Sequence, residues 1–372
     1  RRLRIFGGPH EPWIQAEGRR LLLLSSNNYL GLGTHPAVKA AAQEAVARCG
    51  VGSGGSRITT GTSEIHVGIE RRIARLKRTE GAMVFSSGYM ANIGVIPALA
   101  EEGDAILSDE LNHASLIDGC RLSKASTAVY RHRDMNHLRR LLGETKSYRR
   151  RLIVTDGVFS MDGDIAPLPD LLELALKHRA LVMVDDAHST GVLGPKGEGT
   201  AGHFGIGHGI DVQMGTLSKA LGAEGGYVAG SAELMDFLRN KSRTFVFSTA
   251  LAPASAAAAS AALDIMEKEP GLLDSLRSNG LRLREGLSLL GWRVAPGVTP
   301  ILPILIGDSR RTVAAALALE ELGVLVSPIR PPTVPEGTSR LRATVMATHT
   351  PEDLETALAA LGEAGRRLGM IP

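Results

Sequence analysis

The sequence predicts an α/β protein, with a large domain built on a mostly parallel seven-stranded sheet and a smaller C-terminal α+β domain. Three observations carry this. Seven short apolar runs, at residues 82–85, 105–107, 128–130, 152–155, 181–184, 212–214 and 227–229, recur along one stretch of chain. They are continuously apolar, as strands buried on both faces are. Helix-period segments such as 135–142 and 169–178 lie between them, which is the alternation of parallel strands with covering helices.

Taken in order, residues 36–49 read as a helix opened by Pro36, a residue suited to the first helical position. A glycine-rich loop follows, then a helix over 63–78, then the seven strands. Residues 253–268 and 272–290 read as two long helices. The last part changes character: strand 301–306, helix 312–322, strand 324–327, strand 341–345 and helix 351–368. The division expected is an N-terminal segment 1–35, a large domain 36–270 and a small domain 271–372, with the border inside the helical region 265–290.

The 372 residues are 44% hydrophobic, enough for a full core. Lys and Arg number 42 against 39 Asp and Glu, a net charge of +3, which argues against a dedicated nucleic-acid or membrane-surface binder. Two cysteines, Cys49 and Cys120, make no disulfide framework and no CxxC, so a cytoplasmic location is expected. No apolar run reaches the roughly 18 residues of a membrane span. The alanine-rich stretch 249–266 is interrupted by Pro253 and Asp264. The start RRLRIFGGPHE has no apolar region of a secretory signal. The chain does not open on Met, so further residues are expected before Arg1.

Two GxGxxG matches, 50–55 and 197–202, follow a helix and lie in a loop, so neither has the strand-to-helix setting of a dinucleotide site. There is no P-loop and no HExxH, and no metal is expected. Three segments point elsewhere. AMVFSSGYMAN (82–92) runs from a strand through Ser-Ser-Gly into a helix, a geometry that suits a phosphate. LVMVDDAHSTG (181–191) sets Asp185 at the C-terminal end of a strand, with His188 three residues on. DVQMGTLSKALGAEGG (211–226) sets Lys219 among small residues just after the next strand. A phosphate cradle, a carboxylate and a lysine opening onto one sheet edge are what pyridoxal 5′-phosphate (PLP) requires: the lysine bonds the aldehyde carbon and the carboxylate keeps the pyridine nitrogen protonated.

The set SSNNYLGL (25–32), GSGGSR (52–57), FSSGYMAN (85–92), LNHASLIDG (111–119), TDGVFSMDGD (155–164), VDDAHSTGVLG (184–194), GTLSKALGAEGGY (215–227) and FSTALAP (247–253) resembles the α-oxoamine synthases. These are fold-type-I PLP-dependent enzymes that condense an amino acid with an acyl thioester and release carbon dioxide. The resemblance runs over nearly the whole chain with order and spacing kept. Segment IRPPTVPEGTSRLR (329–342) is most similar to biotin-pathway members, which use L-alanine and pimeloyl-CoA or a pimeloyl carrier-protein thioester. The alternative is a glycine-using member with acetyl-CoA or succinyl-CoA.

By that resemblance, Lys219 matches the lysine that carries the cofactor and moves the Cα proton. Asp185 matches the partner of the ring nitrogen, His188 the partner of the ring phenolate oxygen, and His113 the histidine stacked on the ring. Gly88 and Tyr89 match the phosphate-binding backbone pair, and Ser160 and Thr216 match side chains that hold the cofactor. Ser248 and Thr249 match a pair reaching the phosphate from a neighbouring subunit, which implies a homodimer with shared sites. Asn27 and Arg342 match groups near the amino-acid carboxylate; Arg1, Arg330 and Thr333 match acyl-substrate contacts. Met346 stands where biotin-pathway members often carry Thr, and Asp156 where some carry Glu. A catalytically silent subunit would lack the lysine, and Lys219, Asp185 and His188 are all present.

Overall fold

The structure is a computed structural model that describes residues 3–207 and 209–372. The chain forms two compact units: one holds the described residues up to 34, residues 160–164 and 269–372, and the other holds 35–159 and 165–268.

In the first unit the chain opens with strands β1 (Phe6–Gly7), β2 (Trp13–Ala16) and β3 (Arg19–Leu23), paired antiparallel in sequence. The β2–β3 turn is Glu17-Gly18, both with positive φ (50° and 79°), the two-residue turn whose twist matches a hairpin. Glu at its first position hides this hairpin from sequence patterning.

The second unit holds α1 (Pro36–Cys49), α2 (Glu64–Lys77), β4 (Gly81–Phe85), α3 (Gly88–Leu99), β5 (Ala105–Asp109), α4 (Ala114–Leu122), β6 (Ser126–Tyr130) and α5 (Met135–Glu144). It continues through β7 (Arg151–Asp156), α6 (Leu168–His178), β8 (Leu181–Asp185), α7 (Thr200–Phe204), β9 (Val212–Thr216), β10 (Gly226–Gly230), α8 (Ala232–Lys241), α9 (Arg243–Val246) and α10 (Pro253–Lys268). Its seven strands form one sheet in the order β4-β10-β9-β8-β7-β5-β6, parallel from β9 to β6, with β10 antiparallel to both its neighbours. Strands β5, β9 and β10 are buried at every position because apolar layers cover both faces. One layer gathers Met83, Val95, Ile106, Leu116, Val154 and Met214; the other gathers Leu107, Leu138, Ile153, Leu171, Val184 and Ile210. Alternate residues of one strand serve opposite layers. That is why the runs read as continuous apolar stretches.

The first unit is completed by α11 (Gly271–Leu289), β11 (Ile301–Gly307), α12 (Ser309–Glu321), β12 (Val324–Leu325), β13 (Ser327–Ile329), β14 (Ser339–Thr344) and α13 (Pro351–Arg367). The single strand read at 324–327 divides at Val326. β12 runs parallel to β3 in a four-stranded sheet β1-β2-β3-β12, and β13 joins β14 and β11 in a three-stranded one. A strand that changes sheets looks continuous in one dimension. Helix α12 starts three residues earlier than read, capped by Asp308, whose side chain accepts from the Arg311 N–H at 2.8 Å. Of the segment 1–35, set apart by sequence, the described residues up to 34 belong with the C-terminal part: Trp13 donates its indole N–H to Asp353 at 2.7 Å, and Asp353 also caps α13 through the Thr350 N–H at 2.9 Å.

Buried His349 ties these parts together. Its Nδ1 accepts from the Met346 N–H at 2.9 Å, so its Nε2–H donates to the Leu23 carbonyl at 3.1 Å. Burial pulls its pKa down to about 4. Between about pH 6.5 and 4 the unfolded chain therefore binds the extra proton, and stability falls as pH falls through that window. Replacement by Gln removes the ionisation. We expect wild type to lose about 2–3 kcal/mol more than His349→Gln between pH 7 and 4 in urea unfolding, and equal losses would refute the assignment.

Candidate active site

The C-terminal ends of β7, β8 and β9 lie side by side, with Asp156 opposite Asp185 and Asp185 opposite Met214. This is the edge where open α/β sheets place ligands, because the connecting loops and helix N-termini open there. Asp185 is buried, and its carboxylate accepts from the Ala187 N–H at 2.9 Å and from Asn92 Nδ2 at 2.7 Å. Asn92 lies on α3 and was not singled out by sequence. Asp156 accepts from the His113 N–H at 2.6 Å. Burial first, then the Asp185 carboxylate, push the Asp156 pKa well above the ordinary range, against the pull of the His113 N–H. Two adjacent buried carboxylates resist sharing a double negative charge.

Loop 186–199 brings His188 over this edge, and Lys219, three residues past β9, meets it with Nζ 2.7 Å from His188 Nε2. His113 caps α4 and is an exposed residue. Desolvation of its packed side lowers its pKa; the Asp185 carboxylate opposes this and the Lys219 ammonium adds to it. At the start of α3, Ser87 caps the helix by accepting from the Met90 N–H at 3.1 Å. A Cβ on Gly226 would collide with the Gly88 backbone, so β10 passes directly beneath the helix start. That bare backbone cradle, with helix N–H groups pointing outward, suits a phosphate. The Tyr89 side chain turns away to donate to Asp118, which leaves its backbone as the useful part. Thr216 donates its hydroxyl to the Gly225 carbonyl at 2.8 Å and accepts from the Ser218 N–H at 3.2 Å. The groups fit PLP: a lysine amine, a buried carboxylate, an exposed imidazole and a phosphate cradle on one sheet edge.

The site rests on a hub that sequence reading passed over. Asp186, next to Asp185, points to the other side of the strand end. It accepts from Ser189 Oγ and Thr200 Oγ1, both at 2.5 Å, and pairs with Lys77 at 2.6 Å. Both members of the pair are buried. Lys77 also donates to the Glu198 carbonyl at 2.6 Å. Burial works against the Lys77 charge, but Asp186 and the Tyr227 phenol outweigh it, so its pKa stands above the ordinary value. A lysine in an amphipathic helix carries no one-dimensional sign of such burial. Lys77→Met should destabilise by about 3–5 kcal/mol, since it strands the Asp186 charge. Lys77→Met with Asp186→Asn should recover part of that loss in urea unfolding; a double variant no better than the single one would contradict the pairing.

The remaining expected residues fall elsewhere. Ser248 and Thr249 lie on the segment after α9, where the Thr249 carbonyl accepts from Ser86 Oγ at 3.1 Å. Ser160, Asn27, Arg330, Thr333 and Arg342 belong to the other unit, and Arg1 lies outside the described residues. There Arg342 is buried, donating to the Ser160 carbonyl at 2.5 Å, Asn27 Oδ1 at 3.2 Å and the Tyr29 hydroxyl at 3.5 Å. These acceptors are all neutral, which leaves the guanidinium suited to an anion. Arg330 and Thr333 are exposed in one turn, with the Thr333 N–H donating to the Arg330 carbonyl at 3.1 Å. Among the described residues no helix is long and apolar enough to cross a membrane.

Residues 19–361 match the aminotransferase class I and II family. The chain is 52% identical to a Geobacter sulfurreducens protein named 8-amino-7-oxononanoate synthase, over 100% of this chain and 95% of that one. It is 50% identical to the Bacillus subtilis 8-amino-7-oxononanoate synthase 2, over 100% and 95%. Among solved structures, the serine palmitoyltransferase of Sphingomonas wittichii aligns with TM-score 0.96 at 34% identity, covering 99% of this chain and 93% of that one. One described as SPT with PLP internal aldimine aligns with TM-score 0.97 at 35% identity, covering 99% and 94%. The Francisella tularensis 8-amino-7-oxononanoate synthase aligns with TM-score 0.80 at 26% identity, covering 93% and 98%.

Proposed function

The chain belongs to the 8-amino-7-oxononanoate synthases of the aminotransferase class I and II family, and from that premise we propose the reaction of this enzyme in biotin biosynthesis. L-Alanine and a pimeloyl thioester, of CoA or of a carrier protein, condense to 8-amino-7-oxononanoate; the thiol and carbon dioxide leave. The enzyme is PLP-dependent. When bound, PLP supplies an electron sink for the charge left at the amino-acid Cα.

The observation that carries the reading is the pairing of Lys219 Nζ with His188 Nε2 at 2.7 Å, on the loop that follows buried Asp185. Lys219 takes the Cα proton as general base and returns it later, a role of about 10²–10⁴-fold in rate. His188 holds the amine in reach and shares its proton. Asp185 would keep a proton on the ring nitrogen, and His113 would stack on the ring. Gly88 and Tyr89 give backbone N–H groups to the phosphate, with Thr216 and Ser160 as further holders. Arg342 and Asn27 bind the α-carboxylate; the neutral acceptors around Arg342 support that role. Arg330, Thr333 and Arg1 bind the acyl substrate.

A homodimer is part of the proposal, with Ser248 and Thr249 serving the partner's phosphate. It is supported by exposed Val51, Ile58 and Phe247, on two segments held together by the Ala250 N–H to Gly55 carbonyl bond at 2.9 Å. A cytoplasmic location accords with two free cysteines, one of them, Cys120, buried with its thiol pKa pushed up to about 11.

Lys219→Ala should lose the visible band of the lysine-bound cofactor and at least 10²-fold in turnover; full activity in that variant would refute its role. Alanine and glycine, each offered with acetyl-, succinyl- and pimeloyl-CoA, should give the highest kcat/KM for alanine with pimeloyl-CoA. A preference for glycine with a shorter acyl group would replace the proposed reaction with that of a glycine-using relative.

A further inference from the structure

A hydrogen-bonded chain joins the group expected at the ring nitrogen to the histidine expected to stack on the ring, through residues to which neither sequence nor family assignment gives a role. Asn92, on α3, is fully buried. One proton of its Nδ2 goes to Asp185 Oδ2 at 2.7 Å and the other to Ser115 Oγ at 2.9 Å. Ser115, on α4 and also buried, stands with Oγ 2.7 Å from His113 Nδ1. The Ser115 backbone N–H points at the same nitrogen at 3.2 Å. An N–H can only donate, so Nδ1 is an acceptor, and the His113 proton sits on Nε2. The directions are then fixed along the chain: Asn92 donates to both Asp185 and Ser115, and Ser115 donates to His113.

The arrangement is kept at a cost. Asn92 Oδ1 is buried and has no hydrogen-bond partner among the described residues. A flipped amide would set that oxygen against the Asp185 carboxylate, so the orientation is forced. An apolar residue of similar size would fill the same space between α3 and α4 with no orphaned acceptor. It would also deprive the buried Asp185 carboxylate of a hydrogen bond, so the amide is kept for what it holds.

We propose that Asn92 is a positioning residue for the reaction, holding the Asp185 carboxylate and, through Ser115, fixing His113 as its neutral Nε2–H form. This rests on the reading that Asp185 partners the ring nitrogen of PLP and His113 stacks on the ring. Nδ1, held by two donors, cannot take a proton without losing both bonds, so the imidazole stays uncharged beside the ring. The same amide restrains one oxygen of Asp185, while the Ala187 N–H at 2.9 Å restrains the other. Asn92 thus ties the ring-nitrogen partner to the stacking residue, and changing one end of the chain should be felt at the other.

The test uses the PLP-loaded full chain and two readouts that need no turnover: the rate of PLP release on dilution, and the ¹⁵N-histidine spectrum, with His113 assigned by its loss in His113→Gln. In wild type, His113 should show a protonated Nε2 and a bare Nδ1 at neutral pH. Ser115→Ala removes the hydroxyl donor and leaves the backbone N–H on Nδ1, so it should shift the His113 Nδ1 signal while the proton stays on Nε2, and Ser115→Thr, which keeps the hydroxyl, should restore the wild-type signal. Asn92→Ala should release PLP at least tenfold faster and also disturb the His113 signal, while a double variant with Ser115→Ala should release it no faster than Asn92→Ala alone. If Asn92→Ala does not fold, Asn92→Ser is read in its place. Wild-type release from the Asn92 variant, or an unchanged His113 signal in Ser115→Ala, overturns the proposal. Should the wild type fail to turn over alanine with a pimeloyl thioester, that failure falls on the proposed reaction and leaves both readouts intact.

Discussion

Two successive carboxylates at the end of β8 set the constraint around which the larger unit is organised. Consecutive residues at a strand end face opposite sides, so Asp185 and Asp186 each need compensation from a different layer. A buried charge without a partner is among the most expensive things a fold can contain. Asp186 finds Lys77, Ser189 and Thr200. Asp185 accepts, among the described residues, from an amide and a backbone N–H, both neutral donors, which suits its charge to a cationic partner. The structural pair and the chemical group are neighbours in sequence because one anchors the loop on which the other depends.

That loop explains the meeting of His188 with Lys219. The Ser189 and Thr190 N–H groups return to the Asp186 carbonyl at 3.1 and 2.9 Å. His188 is thereby held at the sheet edge, against an amine that leaves β9 in the next parallel position. Parallel order matters here: β7, β8 and β9 all present their C-terminal ends to the same side. The antiparallel β10 runs the other way, and its first residue, Gly226, gives the start of α3 a bare backbone to lie on. A carboxylate, an amine, an imidazole and a helix start meet there without any of them being close in sequence.

Much of this was legible in one dimension, and for definite reasons. Strands buried on both faces read as unbroken apolar runs, so the seven-stranded sheet was visible. Asp185 was visible because it follows such a run at once, and Lys219 because it sits among small residues just past the next strand; strand ends are where ligands sit in this fold class. Lys77 and Asn92 were not visible. One looks like a solvated helix lysine and the other like an ordinary helix polar residue, and their burial comes from helices packing on a sheet whose order is not the order of the chain. In the smaller unit, the switch of sheets at Val326 and the docking of residues 3–34 were hidden likewise. A parallel pairing such as β3 with β12 links segments some three hundred residues apart and leaves no local pattern.

Sequence by itself determined the α/β class, the sheet-edge position of Asp185, His188 and Lys219, and the family to which these motifs belong, because each is written in short-range spacing. Tertiary structure alone decided which way those groups point and what charges stand behind them. It decided that Lys77 neutralises Asp186, that Asn92 holds Asp185, and that His113 carries its proton on Nε2. The reason is physical: protonation and burial depend on every neighbour in space, and those neighbours are chosen only when the layers close.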